Sequence, residues 1–199
     1  MIRAVSLTAL LYSALMASGQ PGTGYWQQRV NYDMSIGFDT KKHRFDGEQV
    51  LHYHNQSPDT LHRVFYHLYL NAFQPGSMMD MRSRNISDSD SRVGGRISKL
   101  KPNEIGFTKV LKMRQNDQEL RNWTVRGTIL EVSLNEPLMP GETVKLDMTF
   151  ESQVPVQIRR NGRNNAEGIS YSMAQWYPKV CAYDRHGWHA DDYIGREFY

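Results

Sequence analysis

One cysteine, Cys181, among 199 residues excludes an intrachain disulfide, so an exported form of this chain would hold together by packing alone. A dominant charge is lacking too. The 24 Lys and Arg exceed the 21 Asp and Glu by only three, and the basic residues are scattered, which excludes the basic footprint of a nucleic-acid-binding protein. No apolar run approaches the roughly 20 residues of a transmembrane helix. Internal repeats and low-complexity tracts are missing as well, and 15 Gly with 8 Pro place the chain outside collagen-like and disordered compositions. What is present is aromatic: 11 Tyr, 7 Phe and 4 Trp are enough to build one core, and the length suits a single domain.

The first residues, MIRAVSLTALLYSALMASGQ, couple Arg3 to an apolar run from Ala4 to Met16. The run is too short to span a bilayer. It ends in the small residues Ala17-Ser-Gly19 that a signal peptidase accepts, so residues 1–19 read as a signal peptide and 20–24 as a mature tail. Export to the periplasm or the extracellular space is the expectation.

From Tyr25 onward the periodicity is that of strands. Val30, Tyr32, Met34, Ile36 and Phe38 alternate with polar residues, which puts the apolar set on one face. Val144, Leu146, Met148 and Phe150 do the same after a Pro140-Gly141 turn, which predicts a hairpin with Leu130, Val132 and Leu134. The Leu61–Leu70 run is apolar on both faces, as in a covered central strand. Further strands are expected over 45–54, 154–158 and 168–177. Between Gln74 and Gly106 no period persists, so this is a long loop excursion, with Ser77-Met-Met-Asp80 able to cap one short helix. Ser87-Asp-Ser-Asp-Ser91 lacks the glycine and terminal glutamate of a calcium loop and reads as solvated. The fold class is all-β, an antiparallel sandwich or saddle with one long excursion.

Catalytic patterns are scarce. None of the seven histidines forms a helical His-Glu-x-x-His pair, so no zinc site of that type is encoded. His186-Gly-Trp-His189 with Asp191 and Asp192 is the nearest cluster, but its glycine argues for a turn. His52 and His54 share a strand face and supply only two ligands. No Gly-x-Ser-x-Gly elbow occurs, and Cys181 has no activating base, which predicts a buried structural thiol. Asn55-Gln-Ser57, Asn85-Ile-Ser87 and Asn122-Trp-Thr124 match the glycan acceptor pattern, which is too short to carry weight.

Phe45-Asp-Gly-Glu48, Tyr53-His-Asn-Gln-Ser-Pro-Asp-Thr-Leu61, His67-Leu-Tyr-Leu-Asn-Ala-Phe73, Gln175-Trp-Tyr-Pro-Lys179, Tyr183-Asp-Arg-His-Gly-Trp188 and Gly195-Arg-Glu-Phe-Tyr199 follow one another in an order that resembles the N-terminal domain of bacterial zinc metallopeptidases of the aminopeptidase N type. The resemblance covers nearly all of the chain after Tyr25. It implies a β-saddle packed on a thermolysin-like catalytic domain of the same parent protein, which holds zinc through His-Glu-x-x-His and acts on peptide substrates. Neither that motif nor the family's Gly-x-Met-Glu-Asn strand lies between Met1 and Tyr199, so the resemblance implies a non-catalytic part of the enzyme. Zinc would belong to the parent, and this chain would bind none.

Two departures from the family pattern stand out. Where many members carry Gln-x-Glu, this chain has Gln175-Trp-Tyr177; where they carry Phe-Pro-Cys-Phe-Asp-Glu-Pro, it has Tyr177-Pro-Lys-Val-Cys-Ala-Tyr-Asp184. Gln175 is the one candidate for substrate contact, because its amide accepts a hydrogen from an α-amine and donates one to a carbonyl. The competing function is a free-standing secreted β-sandwich module that binds carbohydrate or peptide through Trp176, Tyr177 and Trp188, against which stands the tendency of strand aromatics to be buried.

Overall fold

The computed structural model describes residues 24–86 and 93–195. The proposed signal peptide, most of the tail, the Ser87–Ser91 segment and the last four residues lie outside the described residues.

Two antiparallel sheets form the body. The first is built from β1 (Arg29–Asp39), β2 (Arg44–His54), β4 (Phe107–Gln115), β5 (Gln118–Leu120) and β8 (Thr143–Gln153), in the order β1-β2-β8-β4-β5. The second is built from β3 (Leu61–His67), β6 (Trp123–Arg126), β7 (Ile129–Leu138) and β11 (Lys179–Val180), in the order β11-β3-β7-β6. Two small hairpins complete it: β9 (Asn161–Arg163) with β10 (Tyr171–Met173), and β12 (Tyr183–Asp184) with β13 (Gly187–Trp188). The expected all-β antiparallel class is what the chain adopts.

Alternation sets the register. β2 sends Phe45, Leu51 and Tyr53 inward, β8 sends Val144, Leu146, Met148 and Phe150 inward, and all are buried. β3 and β7 answer with Val64, Tyr66, Leu130 and Val132, and one hydrophobic cluster fills the space between the sheets. The hairpin expected across Pro140-Gly141 does not form: β7 pairs with β3 and β6, and β8 with β2 and β4, so this turn carries the chain from one sheet to the other, a change of layer that alternation alone does not separate from a hairpin. Gly141 there has a φ of +80°, which favours a residue without Cβ. Asn55 clamps this turn: its carbonyl accepts from Gly141 N at 2.7 Å and its N–H donates to Glu142 O at 2.9 Å. The Asn55 carboxamide is fully buried, donating to the carbonyls of Asp59 and Leu138 and accepting from Ser57. It is a structural residue and offers no acceptor for a glycan.

Three expected strands differ. The apolar run from Leu61 leaves the sheet at His67, and Tyr69–Ala72 forms a 3-10 turn that buries Tyr69, Leu70 and Ala72. Continuous apolarity marked a chain segment plugging the core, which periodicity alone does not separate from a central strand. Over 154–158 only isolated bridges form, at Val156 and Ile158, since Pro155 has no N–H to give a ladder. Over 168–177 only Tyr171–Met173 is strand.

In the excursion, α1 (Met78–Asn85) begins where Ser77 Oγ accepts from Asp80 N at 3.1 Å, the capping expected of that spacing. Val93 and Ile97 then return to the core.

Candidate functional site

Gln175 lies two residues beyond the end of β10, half-buried, with φ of +53°. It lines a cleft of about 410 Å³ with Tyr69, Phe73, Arg159, Arg160, Asn161 and Tyr193 among its walls. The 3-10 turn supplies the aromatic floor. The β9–β10 hairpin and the chain before it supply the polar side, and the C-terminal segment closes a third.

The polar side is firmly built. Asn161 and Ile158 exchange both backbone hydrogen bonds, at 2.9 and 3.2 Å. Arg163 N donates to Pro155 O at 2.8 Å, and Gln157 N to Arg163 O at 3.0 Å. The two segments approach so closely that a Cβ on Gly162 would lie 2.3 Å from Gln157 Cα, so only glycine fits there. Arg163 is buried, with its guanidinium donating to Asn103 O at 2.7 Å. Arg159, like Gln175, has a left-handed φ, of +57°. Two non-glycine residues in this region on one cleft is the kind of local strain that functional sites hold.

The aromatic side is a stack. His67 lies parallel on Tyr69 with ring centroids 5.0 Å apart, and Tyr69 meets Tyr193 edge-on at 5.1 Å. Burial pushes the Tyr69 and Tyr193 phenols above their ordinary range, with the charges of Arg159 and Arg160 partly opposing this at Tyr193. Burial, helped by Lys179, depresses His67 to about 4, so its ring is neutral at physiological pH. Tyr193 is carried by a clasp. Asp192 Oδ1 accepts from Thr128 N at 2.8 Å and from Thr128 Oγ1 at 2.9 Å, while Tyr193 N donates to Thr128 Oγ1 at 2.8 Å.

The cleft thus offers a carboxamide, exposed Arg160 and apolar rings. That suits holding a ligand with a polar and an apolar side, and among the described residues lining it there is no serine, threonine or cysteine nucleophile. Of its polar groups, sequence reasoning found Gln175 and missed Asn161 and Arg160, which sit in a short polar run with no motif to mark them.

The other candidates fall elsewhere. His52 and His54 lie on the solvent side of β2, with His54 Nδ1 2.9 Å from Thr143 Oγ1. His186 and His189 belong to the β12–β13 hairpin, where His189 Nε2 is 2.8 Å from Asp184 Oδ2 and His186 Nε2 accepts from Arg185 Nε. Among the described residues no group of three metal-ligating side chains converges. Cys181 is buried and its thiol is pushed up to about 12, chiefly by burial, so it is a packed thiol rather than a nucleophile. Trp176 stacks edge-on against Phe45 at 5.6 Å, and Trp188 packs on both Tyr53 and Phe65. These rings are engaged with the core rather than displayed. Among the described residues no helix is long and apolar enough to cross a membrane.

No protein-family model and no curated protein matches the sequence. Solved structures similar to it are M1 zinc metallopeptidases. The M1 zinc metallopeptidase from Deinococcus radiodurans is 20% identical over 77% of this chain and 29% of that one, with a TM-score of 0.47. A mutant of it bound to a Tyr-Ser-Ala substrate is 18% identical, with the same coverage and TM-score. A two-domain M1 zinc metallopeptidase mutant bound to L-tryptophan is 20% identical over 78% of this chain and 30% of that one, at a TM-score of 0.47. The chain spans under a third of the length of these proteins.

Proposed function

We propose that this chain is the non-catalytic N-terminal domain of an exported zinc metallo-aminopeptidase, with zinc held by a thermolysin-like catalytic domain of the same parent protein, and that Gln175 contributes to the wall of its peptide site. What supports the reading is the convergence of segments far apart in sequence that share the family's pattern. Phe45 packs on Trp176, Tyr53 on Trp188, and Tyr69 on Tyr193. Tyr183 Oη donates to Asp59 Oδ2 at 2.8 Å, and His67 pairs with Lys179 across β3 and β11. Of these segments, the 3-10 turn bearing Tyr69 and the chain at Gln175 meet in the cleft.

In the parent, zinc held by the catalytic domain would supply Lewis-acid activation of water for peptide hydrolysis. The part of this chain is to bind and orient. The Gln175 carboxamide accepts from an α-amine and donates to a carbonyl, the aromatic floor excludes water from the ligand's apolar side, and neutral His67 adds no charge beside it. The test is to express the coding region through the first in-frame His-Glu-x-x-His and to assay zinc content and cleavage of aminoacyl chromogenic substrates. Stoichiometric zinc, hydrolysis and a raised KM in Gln175→Ala are expected. A reading frame that closes without that motif would sink the proposal. The mature product should begin within a few residues of Gln20, which mass spectrometry of the exported protein checks; retention of Met1 would refute export by cleavage.

A further inference from the structure

We propose that Asn161 is the positioning residue of the Gln175 cleft: its carboxamide fixes the peptide plane that holds Gln175 in the left-handed conformation and so aims the Gln175 side chain at the ligand. The inference rests on the reading of that cleft as a peptide-binding wall.

The sheet does not hold Gln175. The β9–β10 ladder ends with Met173 opposite Asn161, and two residues later the chain takes φ of +53° at Gln175. That conformation disfavours a side chain with a Cβ, so something must impose it. The Ala174 carbonyl belongs to the peptide plane that leads into Gln175, and rotating that plane changes Gln175 φ. Asn161 Nδ2 donates to this carbonyl at 2.7 Å.

Asn161 is a firm anchor. Its residue exposure is 4%, and its backbone is tied to Ile158 in both directions. Its Oδ1 is buried with no donor among the described residues. Turning the amide over would set carbonyl against carbonyl, so the hydrogen-bond network itself assigns the donor to Ala174. A buried acceptor without a donor costs stability, and the link to Ala174 is what the other end of the carboxamide provides in return. Without it, the Ala174–Gln175 plane is free to rotate toward negative φ, carrying the Gln175 side chain away from its place on the cleft wall.

The experiment uses the 199-residue chain, labelled with ¹⁵N and titrated with the dipeptide amide Ala-Phe-NH₂. In wild type the Gln175 side-chain amide should shift saturably. Gln175→Gly tolerates the left-handed φ and lacks the amide, so it should bind about tenfold more weakly while melting no lower than wild type. Asn161→Ala should also bind about tenfold more weakly, yet weaken binding no further in the Gln175→Gly background. Asn161→Asp, of nearly the same shape, loses the donor when ionised and regains it when protonated. Its affinity relative to wild type should therefore recover as pH falls through the pKa of the introduced carboxyl, about 4 in an unperturbed aspartate and read separately from its ¹³C shift, which a residue of merely structural importance would not show. Wild-type affinity in Asn161→Ala, equal losses in both backgrounds, or a ratio for Asn161→Asp that stays constant across the titration of its carboxyl would each overturn the positioning role while the peptide-binding reading stands. If Gln175→Gly binds as wild type does, or wild type binds no peptide, the cleft reading falls and the positioning role with it.

Discussion

The ring of Phe150 occupies the place where a side chain on Gly47 would go: a Cβ there would lie 2.2 Å from Phe150 Cζ and 2.5 Å from Cε1. The two residues are partners across β2 and β8, and Phe150 is itself packed edge-on by Phe45 at 6.2 Å. The ring cannot move without disturbing the core, so Gly47→Ala should destabilise by about 1–3 kcal/mol through overpacking. Urea denaturation reads this directly, and an unchanged midpoint would show that the ring has room to shift. His67 makes a second prediction at this scale. Burial, then the charge of Lys179, hold it near 4, with Asp191 and Asp192 acting in the opposite sense. An unfolded histidine takes its proton near 6.5. The stability gained from the neutral ring is therefore fully present above pH 6.5 and is lost as pH falls toward 4, by about 3 kcal/mol at the limit. His67→Gln should flatten that part of the pH–stability curve, and an unaltered slope between pH 7 and 4.5 would refute the assignment.

At the scale of elements, the C-terminal segment is held by the Asp192 clasp on the turn between β6 and β7. Gly127 makes the clasp possible, since its φ is +56° and a Cβ there would lie 2.4 Å from Asp192 Oδ1. Asp192→Ala removes the acceptor for both Thr128 donors, costing about 1–3 kcal/mol, and the loss should be local. Hydrogen exchange at the Thr128 and Tyr193 amides should quicken while β2 and β8 stay protected; uniform protection would show that the segment is held by packing alone. This clasp was not legible in the sequence, because Thr128 and Asp192 lie 64 residues apart and nothing in either local pattern names the other. Strands with one wet face were legible. β1, β2 and β8 follow from alternation, and α1 from Ser77 and Asp80, whereas the hairpin expected across Pro140-Gly141 is a crossing from the four-stranded to the five-stranded sheet. β4 was not, for its alternation is broken by a register shift between Val110 and Lys112, which leaves Leu111 53% exposed. The cleft itself was half legible. Gln175 could be singled out for the chemistry of its amide, whereas the Asn161 side chain meets a backbone carbonyl and so leaves no side-chain pattern to read.

At the scale of the whole molecule, the question is whether the two sheets are separable. Their inner faces share one hydrophobic cluster, and the β12–β13 hairpin crosses between them. Trp188 on β13 packs against Tyr53 of the five-stranded sheet at 6.1 Å and against Phe65 of the four-stranded sheet at 5.6 Å, and on its own hairpin it meets Tyr183 at 5.0 Å. Tyr183 in turn stacks on Trp26 near the start of the described chain. The ring therefore couples β2, β3 and the N-terminal approach to β1 in one contact group. The ring is half-buried and removing it takes apolar area from both sheets at once, so Trp188→Ala should cost about 2–3 kcal/mol, less than truncating a fully buried aromatic. The loss should appear as one shifted transition: unfolding followed by far-UV circular dichroism and by tryptophan fluorescence should superimpose in wild type and in the variant. If one probe reported a transition at unchanged denaturant concentration while the other moved, the sheets would be independent units and the contact between them dispensable. Coincident curves would instead mean that the two sheets unfold as one cooperative unit, with the β12–β13 hairpin part of it.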